Sequence, residues 1–141
     1  GIRNAIVTAG GDSRIIGDHR GRPWMVGIKD PRASDNKSAI VLPLSDTAMS
    51  TSGDYERYFM DGERRVHHII NPKTGKSATG IRSVSVLAAH GIDTDALTKP
   101  LFILGVERGM AIIDKIPGVD AIVIDDQGQI FYSKNLAPPA Q

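Results

Sequence analysis

Apolar and polar residues alternate along the first half of the chain in the pattern of short strands. Runs rich in β-branched residues occur at 4–9, 13–17, 23–29, 38–44 and 46–52. Gly, Pro, Asp and Ser residues bound these runs, as they do where strands end in turns. We expect 13–17 to pair with 23–29 as a hairpin. A turn near Pro43 is expected to join 38–44 to 46–52 in the same way.

The segment 51–75, TSGDYERYFMDGERRVHHIINPKTG, carries most of the residues with distinctive chemistry. Its Asp-Gly dipeptide is a strong hairpin signal, so 55–60 is predicted to pair with 64–70. Alternation along the return strand places His68 on a face with two branched apolar residues and His67 on the other face. Such a histidine is either a hydrogen-bonded core residue or a catalyst, and the pattern leaves both possibilities open.

Two glycine-containing turns are candidates for contact with a ligand. Gly10 and Gly11, followed by Asp12, end the first strand, where paired glycines let the backbone approach a ligand or simply form a tight turn. The loop NPKTG after the histidines offers backbone N–H groups, and Lys73 and Lys76 add positive charge that suits a phosphate.

The hydrophobic period changes to that of a helix after residue 93, where leucines recur at helical spacing. Thr94 is the predicted N-cap of this helix. Pro100 predicts a kink or a later start, and Gly105 predicts an end or an interruption. A second helix is predicted over 107–116, before a Pro-Gly pair.

Three further strands complete the predicted fold, at 83–89, 120–125 and 129–133, with the last two forming a hairpin. The fold class is therefore α+β, with a mostly antiparallel sheet packed against two helices in one domain over 1–141.

Composition removes several classes of function. The 141 residues carry 17 basic and 16 acidic side chains, a net charge of +1, so no strong field favours nucleic acid. The chain has no cysteine, which excludes disulfides and thiolate metal sites. It also has no apolar run of about 18 residues, the length of a membrane-spanning helix.

Six sequence motifs follow one another in a recognisable order. They are GGD at 10–12, G-x-PW-x-VGI-x-DP at 21–31, TSGDYERYF at 51–59, HHIINPKTG at 67–75, DALTKPLFILG at 95–105 and PG-x-DA-x-x-ID at 117–125. Together they resemble the carboxyl-terminal half of the FAD:protein FMN transferases, the ApbE family.

The resemblance implies a reaction, its partners and a location. Members of this family take FAD and Mg²⁺, transfer the FMN moiety to a threonine hydroxyl of a target protein and release AMP, and some split FAD with water instead. Most are periplasmic lipoproteins. We therefore expect a protein target and FAD as partners, a periplasmic or membrane-anchored parent held only by a lipid anchor, and no nucleic acid.

The resemblance also implies roles for individual residues. His68 corresponds to a histidine beside the pyrophosphate, as a general base or as a group that orients a phosphate. Asp95 corresponds to a metal-binding aspartate, and Thr98 is a fallback oxygen ligand for the metal. The implied flavin-binding residues are Gly10, Gly11, Asp12, Ser52, Gly53, His68 and Lys99.

Two departures from the family pattern limit these expectations. Lys99 stands where members commonly have a second metal-binding oxygen, and its ammonium cannot ligate Mg²⁺ but can neutralise a phosphate. The half of the family's pocket that precedes these motifs is not in this chain, so the amino-terminal half or a partner chain is expected to supply it. We expect the 141 residues alone to be nearly inactive. The alternative is a non-catalytic flavin-binding or structural module with a degenerate metal site.

Overall fold

The protein was analysed as a computed structural model that describes residues 1–35 and 37–136. The strands are β1 Ala5–Ala9, β2 Asp12–Ile16, β3 Trp24–Lys29, β4 Ser38–Leu44, β5 Ala48–Gly53, β6 Tyr58–Asp61, β7 Arg64–His67, β8 Ile70–Asn71, β9 Lys76–Ser77, β10 Ile81–Ala88, β11 Asp120–Asp125 and β12 Ile130–Tyr132. The helices are α1 Gly91–Leu104 and α2 Val106–Ile113. In this part of the chain no helix is long and apolar enough to cross a membrane.

Six of the strands form a sheet in the order β1-β2-β5-β10-β11-β12, and every neighbouring pair is antiparallel. The remaining strands form three separate pairs, β3–β4, β6–β7 and β8–β9. An antiparallel sheet with two helices confirms the predicted α+β class.

The central strand β10 separates two apolar layers because its side chains alternate between the faces of the sheet. Val84 and Val86 lie in the core on one face, together with Phe102 of α1. Leu87 points to the other face, where it packs in a second core with Ile28 of the β3–β4 hairpin. The helices therefore cover one face of the sheet, and the β3–β4 hairpin covers the other.

Helix α1 is held against β5 by two buried pairs of hydroxyl groups. Ser50 Oγ lies 2.6 Å from Thr94 Oγ1, and Ser52 Oγ donates a hydrogen bond of 2.9 Å to Thr98 Oγ1. Both threonines are fully buried. The two threonine hydroxyls in turn donate to backbone carbonyls one turn back, so all four polar groups are satisfied.

The predicted limits of α1 were partly wrong. The helix begins at Gly91, and His90 occupies the N-cap position without a side-chain capping bond. The predicted N-cap, Thr94, lies inside the first turn, and its hydroxyl bonds Ser50 in the core. Pro100 lies within the helix, which continues to Leu104. Gly105 ends it as predicted, at a φ of 80° that favours glycine, and its N–H donates to the Leu101 carbonyl.

Strand pairing differed from the prediction in the first half of the chain. Strand β2 pairs with β1 and β5 rather than β3, whereas β3 pairs with β4, and β5 lies between β2 and β10. The reason is the glycine pair: Gly10 and Gly11 have φ values of 62° and 100° and close a two-residue hairpin between β1 and β2. Both hairpins predicted with these strands were therefore wrong.

The later strand predictions were confirmed in outline. Strands β6 and β7 pair across the Asp-Gly turn, although the ladder is confined to 58–61 and 64–67. Strands β11 and β12 form the closing hairpin. The second helix occupies Val106–Ile113, so it ends three residues earlier than predicted.

Candidate functional site

The two adjacent histidines have opposite surroundings. His67 is 5% exposed, and its Nε2 lies 2.9 Å from the Ala78 carbonyl, while the Ile69 N–H donates to its Nδ1 over 3.3 Å. This pattern requires the proton on Nε2 and uses both ring nitrogens. The ring meets Phe102 edge-on at 5.6 Å. His67 is therefore a hydrogen-bonded core residue.

His68 lies in solvent at the end of β7. Its backbone N–H donates to the Arg57 carbonyl over 3.2 Å, and its Nδ1 lies 3.4 Å from the same oxygen. With the Nδ1 proton directed at that carbonyl, Nε2 is the basic nitrogen, and it has no hydrogen-bond partner among residues 1–35 and 37–136. The alternation did separate the two histidines: the face that carries His68 with Val66 and Ile70 is the more exposed one, and His67 and Ile69 are buried.

A cavity of about 490 Å³ lies between α1 and the loop that follows the histidines. Its walls carry three cationic side chains, Lys73, Lys99 and Arg108. Asn71 also lines it, and the remaining residues are Pro72, Pro100, Ile103 and Leu104. An apolar cavity with a few charged groups is typical of a site for an organic anion.

The loop beside this cavity is held by its own hydrogen bonds. Asn71 Oδ1 accepts from the Lys73 N–H over 3.0 Å, and the Asn71 carbonyl accepts from the Gly75 N–H over 2.9 Å. Gly75 has a φ of 67°, which a residue with a side chain rarely adopts. The sequence therefore fixes the turn that places Lys73 on the cavity wall.

The residues proposed to hold a metal do not fit Mg²⁺. Asp95 forms an ion pair with Lys99 one helical turn away. Thr98 is fully buried, donates to the Asp95 backbone carbonyl and accepts from Ser52, so its hydroxyl is directed into the core. Within the described part of the chain, no three His, Asp or Glu side chains group together in a way that could hold a metal ion.

The glycine turn and the end of β5 form a second group of predicted site residues. The Gly11 carbonyl accepts from the Thr51 N–H over 3.3 Å, so the turn abuts β5, and Gly10, Gly11 and Asp12 are exposed. Ser52, by contrast, is buried and bonded to Thr98. None of these residues lines the cavity beside Lys99.

Gly53 is needed where it stands. A side-chain carbon at this position would lie 2.3 Å from the Tyr55 ring. Burial raises the pKa of Tyr55 above its ordinary value, because the phenolate form is poorly solvated there. Gly53 therefore lets Tyr55 fold back over the end of β5.

Comparison with known proteins decides the family. The model of the ApbE family matches residues 1–123. The chain belongs to the ApbE family. The FAD:protein FMN transferase of Treponema pallidum is 45% identical over 102 residues, covering 72% of this chain and 28% of its own length. The Rhodobacter capsulatus protein of the same name is 42% identical over 137 residues, covering 96% of this chain and 26% of its own.

Solved structures of ApbE proteins share the fold. The ApbE protein of Thermotoga maritima superposes with a TM-score of 0.83 at 36% identity, covering 93% of this chain and 43% of its own. The flavin transferase ApbE of Vibrio cholerae superposes with a TM-score of 0.72 at 37% identity, covering 94% and 43%. The resemblance predicted from the motifs is confirmed, and the chain spans well under half the length of these ApbE relatives.

An ion cluster centred on Asp54 supports the TSGDYERYF motif of this ApbE chain, and sequence reasoning missed it. Asp54 is buried and accepts two hydrogen bonds from Arg32, of 2.9 and 2.6 Å, and one from Arg65 of 3.4 Å. The hydrogen bonds to Asp54 raise the pKa of Arg32 above its ordinary value. Arg65 also lies over the Tyr58 ring at 4.1 Å. An aspartate directly after the strand β5 was the only available signal.

Replacing Asp54 with alanine is expected to lower the free energy of unfolding by about 2–3 kcal/mol, since it leaves two guanidinium groups partly buried without their carboxylate. Denaturant unfolding measures the change. Asp61→Ala is the matched control, because Asp61 pairs with Arg64 in solvent at 3.3 Å, and its loss should cost less than about 0.5 kcal/mol. Equal effects at both positions would show that the Asp54 cluster has no special role.

Proposed function

We propose that this chain is the carboxyl-terminal portion of a flavin transferase that moves the FMN moiety of FAD onto a threonine hydroxyl of a target protein and releases AMP. The observation that carries the proposal is His68, in the HHIINPKTG motif of an ApbE-family chain: its imidazole faces solvent, and its Nε2 has no hydrogen-bond partner within the described residues. The names of the relatives from Treponema pallidum and Rhodobacter capsulatus support the transfer of FMN from FAD to a protein.

The proposed reaction needs a single base, which accepts the proton of the threonine hydroxyl. The threonine oxygen attacks the phosphorus on the FMN side of the FAD pyrophosphate, and the bond from that phosphorus to the bridging oxygen breaks. AMP leaves with the bridging oxygen, and FMN stays on the threonine as a phosphodiester. His68 Nε2 takes the threonine proton, or orients the attacked phosphate, in keeping with its exposed position.

The other site residues would bind and orient FAD. The exposed Gly10–Gly11 turn allows close backbone approach beside Asp12, whereas Gly53 acts indirectly, by letting the Tyr55 ring lie over the end of β5. Ser52 positions α1 through its bond to Thr98. Mg²⁺, which the resemblance implies, would supply charge at the pyrophosphate, but Asp95 and Thr98 do not provide a fitting pair of ligands.

A non-catalytic flavin-binding or structural module is the second candidate. The observation that favours it is the Asp95–Lys99 ion pair, in which Lys99 engages the carboxylate that the resemblance assigns to metal binding. An enzyme that relies on a metal ion to stabilise the charge of the transition state would lose that contribution when the metal ligand is occupied by a lysine.

One assay separates these candidates. The complete gene product is incubated with FAD and a membrane extract of its source organism, and covalent flavin fluorescence on a denaturing gel is measured together with AMP release. We expect a fluorescent protein band and stoichiometric AMP. FAD binding with neither product would favour the non-catalytic module, and no FAD binding would contradict both flavin functions.

We also propose that the parent protein acts on the periplasmic side of a membrane, held by a lipid anchor. The support is the family resemblance. Fractionation of the source organism tests the location, together with protease digestion of cells whose outer membrane has been made permeable.

A further inference from the structure

Lys99 and Asp95 form a charge pair on the exposed side of α1. They are four residues apart, which places both on one helical face. The Lys99 ammonium bonds the Asp95 carboxylate and also lies 3.2 Å from the Asp95 backbone carbonyl. The side chains are 43% and 53% exposed, so the pair can meet a ligand from solvent.

The same lysine lines the 490 Å³ cavity with Lys73 and Arg108. Among the lining residues that the structure describes there is no carboxylate, so the cavity wall is positively charged. Its apolar walls add contact area for the uncharged part of a ligand. An organic pyrophosphate matches both properties, because it combines concentrated negative charge with a large planar or apolar body.

A divalent cation would be poorly accommodated here. To bind Asp95, Mg²⁺ would have to displace the ammonium and then remain within a few ångströms of it, and like charges at that distance repel. Thr98 cannot supply a second oxygen without breaking its bond to Ser52 and entering solvent from a fully buried position. The lysine and the metal are therefore alternatives at this site.

We infer that Lys99 supplies the positive charge that balances the FAD pyrophosphate in this protein, so that FAD binding needs no divalent cation at Asp95. The inference rests on the proposed function for the identity of the ligand. Asp95 then acts as a positioning residue, which holds the ammonium toward the cavity through the ion pair. Lys73 and Arg108, which line the same cavity, contribute further positive charge.

The test is FAD affinity of the complete gene product, measured by flavin fluorescence in excess chelator and in excess Mg²⁺. The unsubstituted protein should give the same Kd in both. Lys99→Thr should weaken binding roughly tenfold or more in chelator, because a charge-assisted hydrogen bond is lost, and should regain affinity when Mg²⁺ is added. Lys99→Arg should keep chelator-resistant binding, since it keeps the charge.

The matched control removes a lysine that lies outside the cavity. Lys115 is exposed just after α2 and does not line the cavity, so Lys115→Thr should leave both Kd values unchanged. Unfolding curves for all variants check that each is folded, and an exposed i, i+4 pair contributes little to stability.

The outcomes distinguish this inference from the proposed function. Loss of FAD binding by the unsubstituted protein in chelator would overturn the role of Lys99 and leave the flavin function standing. Unchanged binding by Lys99→Thr in chelator would do the same. Inorganic pyrophosphate is titrated without metal as a second probe: binding that depends on Lys99, with no FAD binding, would support the charge site and contradict the flavin function. Binding of neither probe would overturn both.

Discussion

Replacing His68 with alanine is expected to lower the rate of FMN transfer by about 10²–10⁴-fold, the usual contribution of a positioned general base. The free energy of unfolding should change by less than about 0.5 kcal/mol, because the side chain is exposed and makes one long contact to the Arg57 carbonyl. Transfer is measured as covalent flavin formed over time. A variant that transfers at the original rate would remove His68 from the mechanism.

His67→Ala is the matched control on the neighbouring residue, and the opposite result is expected. It would leave the Ala78 carbonyl and the Ile69 N–H without their partners and open a void beside Phe102. The free energy of unfolding should fall by about 2–3 kcal/mol. The folded fraction of the variant should retain transfer. The two variants therefore distinguish a histidine that is needed for transfer from a neighbouring histidine that is needed for stability.

Phe102→Ala is expected to lower the free energy of unfolding by about 3–5 kcal/mol. Phe102 is completely buried, with an accessible fraction of 0%, and it joins α1 to the sheet core that contains Val84 and Val86. Loss of the ring also removes the edge-on contact to His67. Denaturant unfolding monitored by circular dichroism measures the change.

Phe59→Ala provides the control for the same chemical change at an exposed position. Phe59 is 63% exposed on β6, so its removal should cost less than about 0.5 kcal/mol. A Phe102 effect no larger than the Phe59 effect would mean that α1 is not held to the sheet through this side chain.

Local sequence signals predicted the elements better than their partners. The Asp-Gly turn at 61–62 fixed the β6–β7 hairpin because the turn residues themselves carry the geometry. The Gly10–Gly11 pair carries equally local information, and a tight turn was one of its two interpretations, but the strands on either side of it were not paired and the β1–β2 hairpin was missed. Alternation identifies a strand without identifying the strand beside it, which is why β2 and β3 were paired wrongly.

The histidines show the same limit at the site. A period of two separates His67 from His68, but which of them is buried depends on contacts distant in sequence, such as that of His67 with Phe102 on α1. The Asp54 cluster likewise joins residues from three segments, and no spacing in the sequence indicates it. The motifs identified the family and the candidate residues. Which of these residues are buried, paired or exposed depends on tertiary contacts that the motifs do not contain.

The hydroxyl pairs between β5 and α1 set the helix in a single register. Two residues along a strand span about 6.6 Å and four residues along a helix about 6 Å, so Ser50 and Ser52 match the spacing of Thr94 and Thr98. A shift of α1 by one residue would rotate both threonines by about 100° and break both bonds together. The two buried serines therefore set the register of α1, and with it the exposed position of Asp95 and Lys99.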